Sequence, residues 1–243
     1  MKKLAIIGGT GLETMAGLDI VRHHQIETPY GDPSSAIVEA QHQEDRWFFL
    51  SRHGEAHTIP PHRVNYRANL WALHSLSVDA VVAVAAVGGI TEAMLPGQVS
   101  IPDQIIDYTW GREHTFYDGP EVEHIDFTHP YCESLRGRLI EAATAANVAA
   151  IAGGTYGATQ GPRLESPAEI CRMEQDGCDI VGMTGMPEAS LAKELGLCYA
   201  CCAVSANWAA GKVEGEITME EITENLKGGM AQVTAILRHL SVG

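Results

Sequence analysis

The sequence predicts an α/β protein in which strands and helices alternate along the chain. Three observations lead to this prediction: stretches with helical periodicity separate short apolar runs, several of these runs are apolar throughout, and glycine-rich turns follow two of them. Runs that are apolar throughout are typical of strands covered on both faces of a sheet. The 243 residues, 45% of them hydrophobic, suffice for one sizeable core, so residues 1–243 are expected to form a single domain.

The strand and helix candidates follow one another along the chain. Apolar runs predict strands over residues 4–8, 47–51, 78–87, 99–106, 153–160, 179–183 and 198–205. Helical patterns cover residues 64–76, 133–147, 167–176, 187–195 and 218–240. Pro187 and Glu188 suit the first turn of a helix, and Thr218 with Glu221 predicts a capping box. Residues 110–130 fit neither period, and a loop of that length is usually functional or lies at an interface.

The charge of the chain limits its partners. A formal net charge of −15 argues against nucleic acid or an anionic membrane as the main partner. The apolar stretch after Lys2 and Lys3 is too short for a signal sequence or a membrane span, which predicts a cytoplasmic protein.

The cysteines are expected to be packing groups. Of the six, only Cys198 and Cys201 have C-x-x-C spacing, and a strand there would point the two thiols to opposite faces. Burial as small apolar groups is favoured over redox or metal chemistry, and a reducing compartment is expected.

Three segments place polar donors at strand ends, where an anion could bind. Thr10 lies in a glycine turn after the first predicted strand, and the backbone of such a turn can come close to a ligand. Arg52 and His53 follow the second strand and could donate to a phosphate. Thr184 stands between a buried strand and a helix start. A tight turn without a ligand and a surface Arg-His pair are the alternatives for the first two segments.

Metal and dinucleotide sites are not expected. His53 and His57 are spaced like ligands on one helical turn, but Gly54 and the Ile-Pro-Pro sequence at 59–61 argue against a helix there. The glycine turn at 8–12 is neither G-x-G-x-x-G nor a P-loop, which disfavours a nucleotide-dependent oxidoreductase.

Motifs distributed over nearly the whole chain identify a family. They are G-G-T-G-L at 8–12, R-H-G at 52–54, V-N-Y-R-A-N at 64–69, G-G-I at 88–90, P-G-Q at 96–98, F-Y-D-G at 116–119, G-P-R at 161–163 and V-G-M-T-G-M-P-E at 181–188. Together they resemble the trimeric purine nucleoside phosphorylase family, and within it the methylthioadenosine phosphorylase branch. The resemblance implies one domain with a central mixed, largely parallel β-sheet flanked by helices. It also implies a homotrimeric pentosyltransferase in which orthophosphate attacks C1′ of a purine nucleoside, without a metal or another cofactor.

The resemblance assigns roles to individual residues. Thr10, Arg52, His53, Thr184 and the Ala86 amide would hold phosphate. Ala85 stands where relatives carry a hydroxyl, so one phosphate hydrogen bond is expected to be missing. Met183 would pack against the ribose, His57 would lie near the sugar hydroxyls and phosphate, and His124 would be contributed by a neighbouring subunit.

The base-recognition residues depart from the adenine pattern of the methylthioadenosine branch. That branch has an Asp-x-Asp pair where this chain has Asn207 and Ala209. The Asn207 amide can donate to O6 or N7 of a 6-oxopurine. Glu165 stands where 6-oxopurine phosphorylases carry a glutamate that accepts from N1–H, a hydrogen that adenine lacks. A strand-end turn residue and a solvated helix-start acid are the alternatives for Asn207 and Glu165.

Met219 bears on the 5′ end of the nucleoside. It stands where 6-oxopurine nucleoside phosphorylases place a histidine for the 5′-hydroxyl, and its thioether suits a methylthio group instead. An ordinary core residue is the alternative.

The resulting hypothesis is phosphorolysis of 5′-methylthioinosine, with Asn207, Glu165 and His57 as the catalytic residues. A methylthioadenosine phosphorylase and a broader inosine/guanosine phosphorylase are the alternatives within the family. A catalytically silent nucleoside-binding protein is the alternative from another class. It is disfavoured because a binder has no need of phosphate donors.

Overall fold

The structure, a computed structural model, describes residues 2–9, 18–215 and 217–240. Within these residues eleven strands form one sheet and five α-helices accompany it. The strands are β1 Lys3–Gly8, β2 Asp19–His24, β3 Ile37–His42, β4 Asp45–Ser51, β5 Ala80–Gly89, β6 Val99–Ile101, β7 Gln104–Asp107, β8 Ile151–Ala152, β9 Thr155–Ala158, β10 Ile180–Gly182 and β11 Cys198–Trp208. The helices are α1 Tyr66–Ser75, α2 Glu133–Ala145, α3 Pro167–Gln175, α4 Glu188–Glu194 and α5 Met219–His239, and a 3₁₀ turn, Pro61–Arg63, precedes α1.

The sheet is mixed and largely parallel, as predicted. Its main path runs β2-β3-β4-β1-β5-β10-β9-β7, while β11 pairs with β5 and β6, and β6 also pairs with β8. In the described part of the chain, six of the ten strand pairings are parallel and four are antiparallel. The strand β5 is central, because it pairs with β1 and β10 on one edge and with β11 on the other.

Each face of the sheet packs against its own pair of helices. Successive side chains of β5 alternate between the faces: Val81 and Ala83 join one core cluster, and Val82 and Val84 join the other. The first cluster contains residues of α1 and α4, the second residues of α2 and α5. The predicted flanking of the sheet by helices is therefore confirmed.

Three strands of the sheet, β2, β3 and the two-residue β8, have no counterpart among the predicted ones. β2 is exposed along most of its length, and β3 buries only two of its six side chains. Neither of these two segments is a continuous apolar run, so its sequence lacks the signal used to predict strands. β3 pairs antiparallel with β4, and β2 pairs antiparallel with β3, so both strands are ordered by tertiary pairing.

Two predicted strands differ from the structure. The segment 99–106 breaks at Pro102, which lacks the N–H that a ladder hydrogen bond requires. The segment 153–160 is a strand only over Thr155–Ala158, because Gly153 and Gly154 at its start have positive φ. Residues 110–130 contain neither helix nor strand, as predicted.

The helix ends differ from one prediction. The hydroxyl of Thr218 accepts from the Glu221 N–H over 3.3 Å, but the reciprocal half of the predicted capping box is not formed. A complete capping box joins Ser166 and Glu169 at the start of α3.

None of the helices in the described ranges is both long and apolar enough to cross a membrane.

The expectation that all cysteines are packing groups is wrong for one of the C-x-x-C pair. Cys198 forms a disulfide with Cys132, which lies 66 residues earlier and immediately precedes α2. Cys201 and Cys202 are buried thiols, as expected, and burial raises the pKa of Cys202 to about 12. The disulfide also removes the reason given for a reducing compartment, because such bonds persist in oxidising surroundings.

Candidate active site

A break in the pairing of β5 opens the middle of the sheet. On one edge β5 pairs with β1 up to Ala83 and with β10 from Gly88 onward. Among the described residues, no strand occupies this edge between those two positions. The Val84 carbonyl and the Ile90 amide both point to this edge, since one accepts from Arg52 and the other donates across it to Asp179. Backbone groups two residues apart point the same way, so the Ala86 N–H faces the break.

A cavity of about 680 Å³ lies over this break. It gathers most of the residues singled out in the sequence: Arg52, His53, His57, Ala85, Ala86, Glu165, Met183, Thr184, Asn207, Ala209 and Met219. Thr10 lies outside the described residues, and its neighbour Gly9 lines the cavity. His124 is exposed and is not part of the lining.

Arg52, at the end of β4, connects the strand ends around the break. Its Nε and Nη2 donate to Glu188 over 2.7 and 2.8 Å, and Nη1 donates to the Val84 carbonyl over 3.0 Å. Tyr199 donates to the same carboxylate over 2.8 Å. The donor fork expected to face phosphate thus holds Glu188 in the structure, and a contact of Arg52 with phosphate stays a prediction. Arg52 lines the cavity as part of a buried ion pair.

This ion pair is almost fully enclosed. The side chain of Arg52 is 3% exposed and that of Glu188 is 0% exposed. Burial alone would lower the pKa of Arg52, but the Glu188 carboxylate raises it well above its usual value, so the guanidinium stays charged. Glu188 therefore does more than occupy the first turn of α4, because it balances the buried charge of Arg52.

His53 presents an acceptor rather than the expected donor. Its Nδ1–H donates to the Ile59 carbonyl over 2.8 Å, and its ring centroid lies 4.8 Å from that of His57. Burial lowers the pKa of His53, and the charge of Arg52 lowers it further, against the raising effect of the hydrogen bond to Ile59. The ring is then neutral near pH 7, and Nε2 carries a lone pair.

The segment between His53 and His57 is not helical. Gly54 and His57 both have positive φ, as expected for a turn rather than a helix. Within the described ranges, no group of three or more His, Cys, Asp or Glu residues is arranged to hold a metal ion.

Thr184 sits directly after β10, in the turn that leads to α4. Its side chain is buried, and its N–H lies 3.4 Å from the hydroxyl of Tyr156, which accepts. The preceding carbonyl of Met183 accepts from Nη1 of Arg112 over 2.9 Å. Both backbone groups are thus fixed, and Thr184 lines the cavity.

Asn207 and Glu165 line a further part of the cavity. The register of β11 against β5 shifts between Ser205 and Asn207, and a bulge of this kind re-aims the side chains that follow it. The Asn207 amide donates to the Trp208 carbonyl over 2.6 Å, which uses one of its two N–H hydrogens. Glu165 Oε1 accepts from the Thr159 hydroxyl over 2.6 Å.

One wall of the cavity is apolar and belongs to α5. Met219, Ile222, Leu226 and Met230 all line it, and their spacing of three or four residues puts them on one helical face. Met219 is 68% exposed, so the alternative that it is a core residue is wrong.

Two polar residues of this region, Thr159 and Arg112, belong to none of the sequence motifs. Glu188 ends the motif at 181–188, but the sequence assigned it no partner at the site. The Arg112 guanidinium donates to the Gln160 carbonyl as well as to Met183, and so fastens the loop at 110–130 to the cavity. A lone arginine in an irregular segment gives no sequence signal, because its acceptors are backbone carbonyls distant in the chain.

Comparisons with known proteins agree with this arrangement. The model of the phosphorylase superfamily matches residues 3–241. A protein of Xanthomonas campestris pv. campestris, named "probable S-methyl-5'-thioinosine phosphorylase", is 52% identical over 243 residues, covering 99% of this chain and 97% of that protein. A protein of Thermococcus kodakarensis, named "probable 6-oxopurine nucleoside phosphorylase", is 45% identical over 231 residues, covering 92% of this chain and 86% of that protein.

Solved structures with the same fold carry related names. A methylthioadenosine phosphorylase sourced from an antarctic soil metagenomic library has a TM-score of 0.94 and 36% identity, covering 98% of this chain and 85% of that one. Methylthioadenosine phosphorylase from Schistosoma mansoni in complex with adenine has a TM-score of 0.94 and 34% identity, covering 99% of this chain and 91% of that one.

Proposed function

The chain belongs to the phosphorylase superfamily, and we propose that it converts 5′-methylthioinosine and phosphate to hypoxanthine and 5-methylthioribose 1-phosphate. The family predicted from the motifs is confirmed by the match over residues 3–241. The observation that carries the proposal is one cavity whose lining has three different parts. These are the polar break in the sheet, the pair Glu165 and Asn207 for the base, and the apolar face of α5.

Phosphate is proposed to bind at the break in β5. Donors there are the Ala86 amide and the Thr184 hydroxyl, with Thr10 of the glycine turn as a further predicted donor. The charge of Arg52 lies beneath them but is shared with Glu188. Neutral His53 can accept a proton from phosphate through Nε2. This is consistent with a phosphate nucleophile that needs a guanidinium beneath its hydrogen-bond donors and one acceptor for its proton.

Bond breaking proceeds between these two ends of the cavity. As the bond from C1′ to the base lengthens, the sugar gains positive charge and the electron pair moves to the purine. Phosphate on one side stabilises the sugar, and hydrogen bonds on the other stabilise the departing base. Asn207 donates to O6 or N7, and Glu165 accepts from N1–H. His57 and Met183 contact the sugar in this arrangement. Orthophosphate is a co-substrate, and no cofactor is proposed.

The names of one relative and of two solved structures bear on the choice of base. The Thermococcus kodakarensis relative carries a name that specifies 6-oxopurines, in line with Glu165 and Asn207. The two structural neighbours carry the name of an adenine-releasing activity, which makes methylthioadenosine phosphorylase the second candidate. We favour the 6-oxopurine because a carboxylate facing N1 of adenine would meet a second acceptor.

The assembly is proposed from the resemblance alone. A homotrimer would let the exposed His124 of one subunit reach the cavity of its neighbour.

A role in purine salvage is proposed from the resemblance, and a cytoplasmic location from the short apolar stretch after Lys2 and Lys3. The Cys132–Cys198 disulfide is the observation that speaks against a reducing location.

Base release is expected to depend on phosphate and on the nucleoside supplied. In phosphate-free buffer, release from methylthioinosine should fall to background, because phosphate rather than water is the nucleophile. With phosphate, methylthioinosine should be cleaved faster than methylthioadenosine, inosine, guanosine or adenosine. Free base measured spectrophotometrically across these five nucleosides provides the test. Full activity without phosphate, or binding without cleavage, would replace the proposal by a hydrolase or by a silent nucleoside-binding protein.

Met219→His is expected to narrow the preference for a methylthio group. The wild-type enzyme should favour methylthioinosine over inosine by about ten- to a few-hundredfold in kcat/KM, since a hydroxyl would go unpaired against the apolar wall. A histidine at this position can donate to the 5′-hydroxyl, so inosine should improve more than methylthioinosine declines. Met219→Leu is the matched control and should keep the wild-type ratio. An unchanged ratio in both variants would show that this residue does not contact the 5′ group.

A further inference from the structure

Thr159 contacts the base-selective carboxylate but has no role in the reaction described above. It follows β9 directly, and its hydroxyl lies 2.6 Å from Oε1 of Glu165 and 3.3 Å from the Gly182 carbonyl. A hydroxyl has a single hydrogen to donate, and the shorter contact with a carboxylate takes it. Glu165 is therefore held from one side by a β-branched residue with few rotamers.

The position of Glu165 explains what this contact does. Glu165 lines both the cavity of about 680 Å³ and a second, adjacent cavity of about 530 Å³. Thr159 lines only the second one. Its hydroxyl thus fastens Oε1 on the side away from the base, and no described residue gives Oε2 a hydrogen bond. A glutamate has several rotatable bonds, and without this contact nothing on that side would fix its carboxylate.

We propose that Thr159 is a positioning residue that sets base choice by aiming Oε2 of Glu165 at N1–H of a 6-oxopurine. The inference rests on the proposed function, because it needs a base with a hydrogen on N1. It predicts an effect confined to such bases. Adenine has no hydrogen at N1 and presents an acceptor to the aimed carboxylate, so its nucleosides should lose no activity when Thr159 is replaced.

Replacement of the hydroxyl tests the proposal. Thr159→Val keeps the shape and should lower kcat/KM for methylthioinosine by about tenfold, as expected for loss of one hydrogen bond to a charged group. Thr159→Ser keeps the hydroxyl and should stay within about twofold of wild type on the same scale. Activity on methylthioadenosine should not fall in either variant. Thr159→Ala serves as a second hydroxyl-free variant if the valine variant folds poorly.

A double-mutant cycle separates positioning from a general structural role. In a Glu165→Gln background, Thr159→Val should have little further effect on methylthioinosine, because the group that it positions is gone. Hypoxanthine affinity measured by calorimetry should fall in the Thr159→Val single variant and give a readout independent of turnover. Equal losses on both nucleosides, or an undiminished loss in the Glu165→Gln background, would overturn the proposal.

The two proposals fail in different ways. If wild-type enzyme prefers methylthioinosine but Thr159→Val behaves like wild type, only the role of Thr159 is refuted. If wild-type enzyme prefers methylthioadenosine, the proposed function is refuted and the Thr159 inference falls with it.

Discussion

Arg52→Ala should lose ten- to about a hundredfold in kcat/KM for phosphate and, at the same time, about 3–5 kcal/mol of unfolding free energy. The catalytic loss follows from removing the positive charge beneath the break and the clamp between β4 and the Val84 carbonyl. The stability loss follows because Glu188, which is fully buried, would lose the guanidinium that balances its charge and keep only the hydrogen bond from Tyr199. Phosphate kinetics and denaturant unfolding of the same preparation measure the two effects.

The double variant Arg52→Ala, Glu188→Ala distinguishes the two contributions. Removing both charges should recover part of the lost stability, because no unpaired carboxylate remains, while the phosphate defect should persist. Arg22→Ala, on the exposed strand β2, is the matched control and should change neither property. A double variant that regains wild-type phosphate kinetics would mean that Arg52 serves the fold alone.

The variant Glu165→Ser, Asn207→Asp should shift the kcat/KM ratio of methylthioadenosine to methylthioinosine by on the order of 10³, because sites built to pair with a hydrogen discriminate by up to 10⁴–10⁵. Removing the carboxylate relieves its clash with N1 of adenine and leaves N1–H of hypoxanthine without its acceptor. An aspartate at position 207 can be protonated and donate to a purine nitrogen while tolerating a 6-amino group. Competition between the two nucleosides in one reaction measures the ratio directly.

The single variants and a surface control complete that experiment. Glu165→Ser alone should account for most of the loss on methylthioinosine, and Asn207→Asp alone for less, because Nδ2 of Asn207 already spends one hydrogen on Trp208. Glu141→Ser, on the exposed side of α2, should leave the ratio unchanged. A wild-type enzyme that already favours methylthioadenosine would contradict the argument before any variant is made.

The structure changes how the phosphate site is understood. Arg52 was expected to grip phosphate with its fork, and instead the fork holds Glu188, a residue 136 positions away. The donors left for phosphate are backbone and hydroxyl groups in the break of β5, which carry no net charge. Beneath these donors the guanidinium of Arg52 is balanced by Glu188, which avoids the desolvation penalty of an unpaired buried charge.

The sequence by itself determined the fold class and most of the functional residues that line the cavity. Apolar runs such as 78–87 and 198–205 specify buried strands because hydrophobic periodicity is a local property. Thr10, Arg52 and Thr184 were placed together because each follows a strand, and strand ends in an α/β sheet meet at one edge. Asn207 and Glu165 were assigned to the site by the family resemblance. The base preference assigned to Glu165 stays a prediction for the experiments above.

Only the tertiary structure decided which partner each polar group takes. The pairing of Arg52 with Glu188, the hold of Thr159 on Glu165 and the disulfide between Cys132 and Cys198 join residues that no local pattern connects. A guanidinium or a hydroxyl can be satisfied by many acceptors, and the one it meets depends on how the strands and helices pack. The sequence therefore specified where the chemistry lies, and packing selected the hydrogen bonds that shape it.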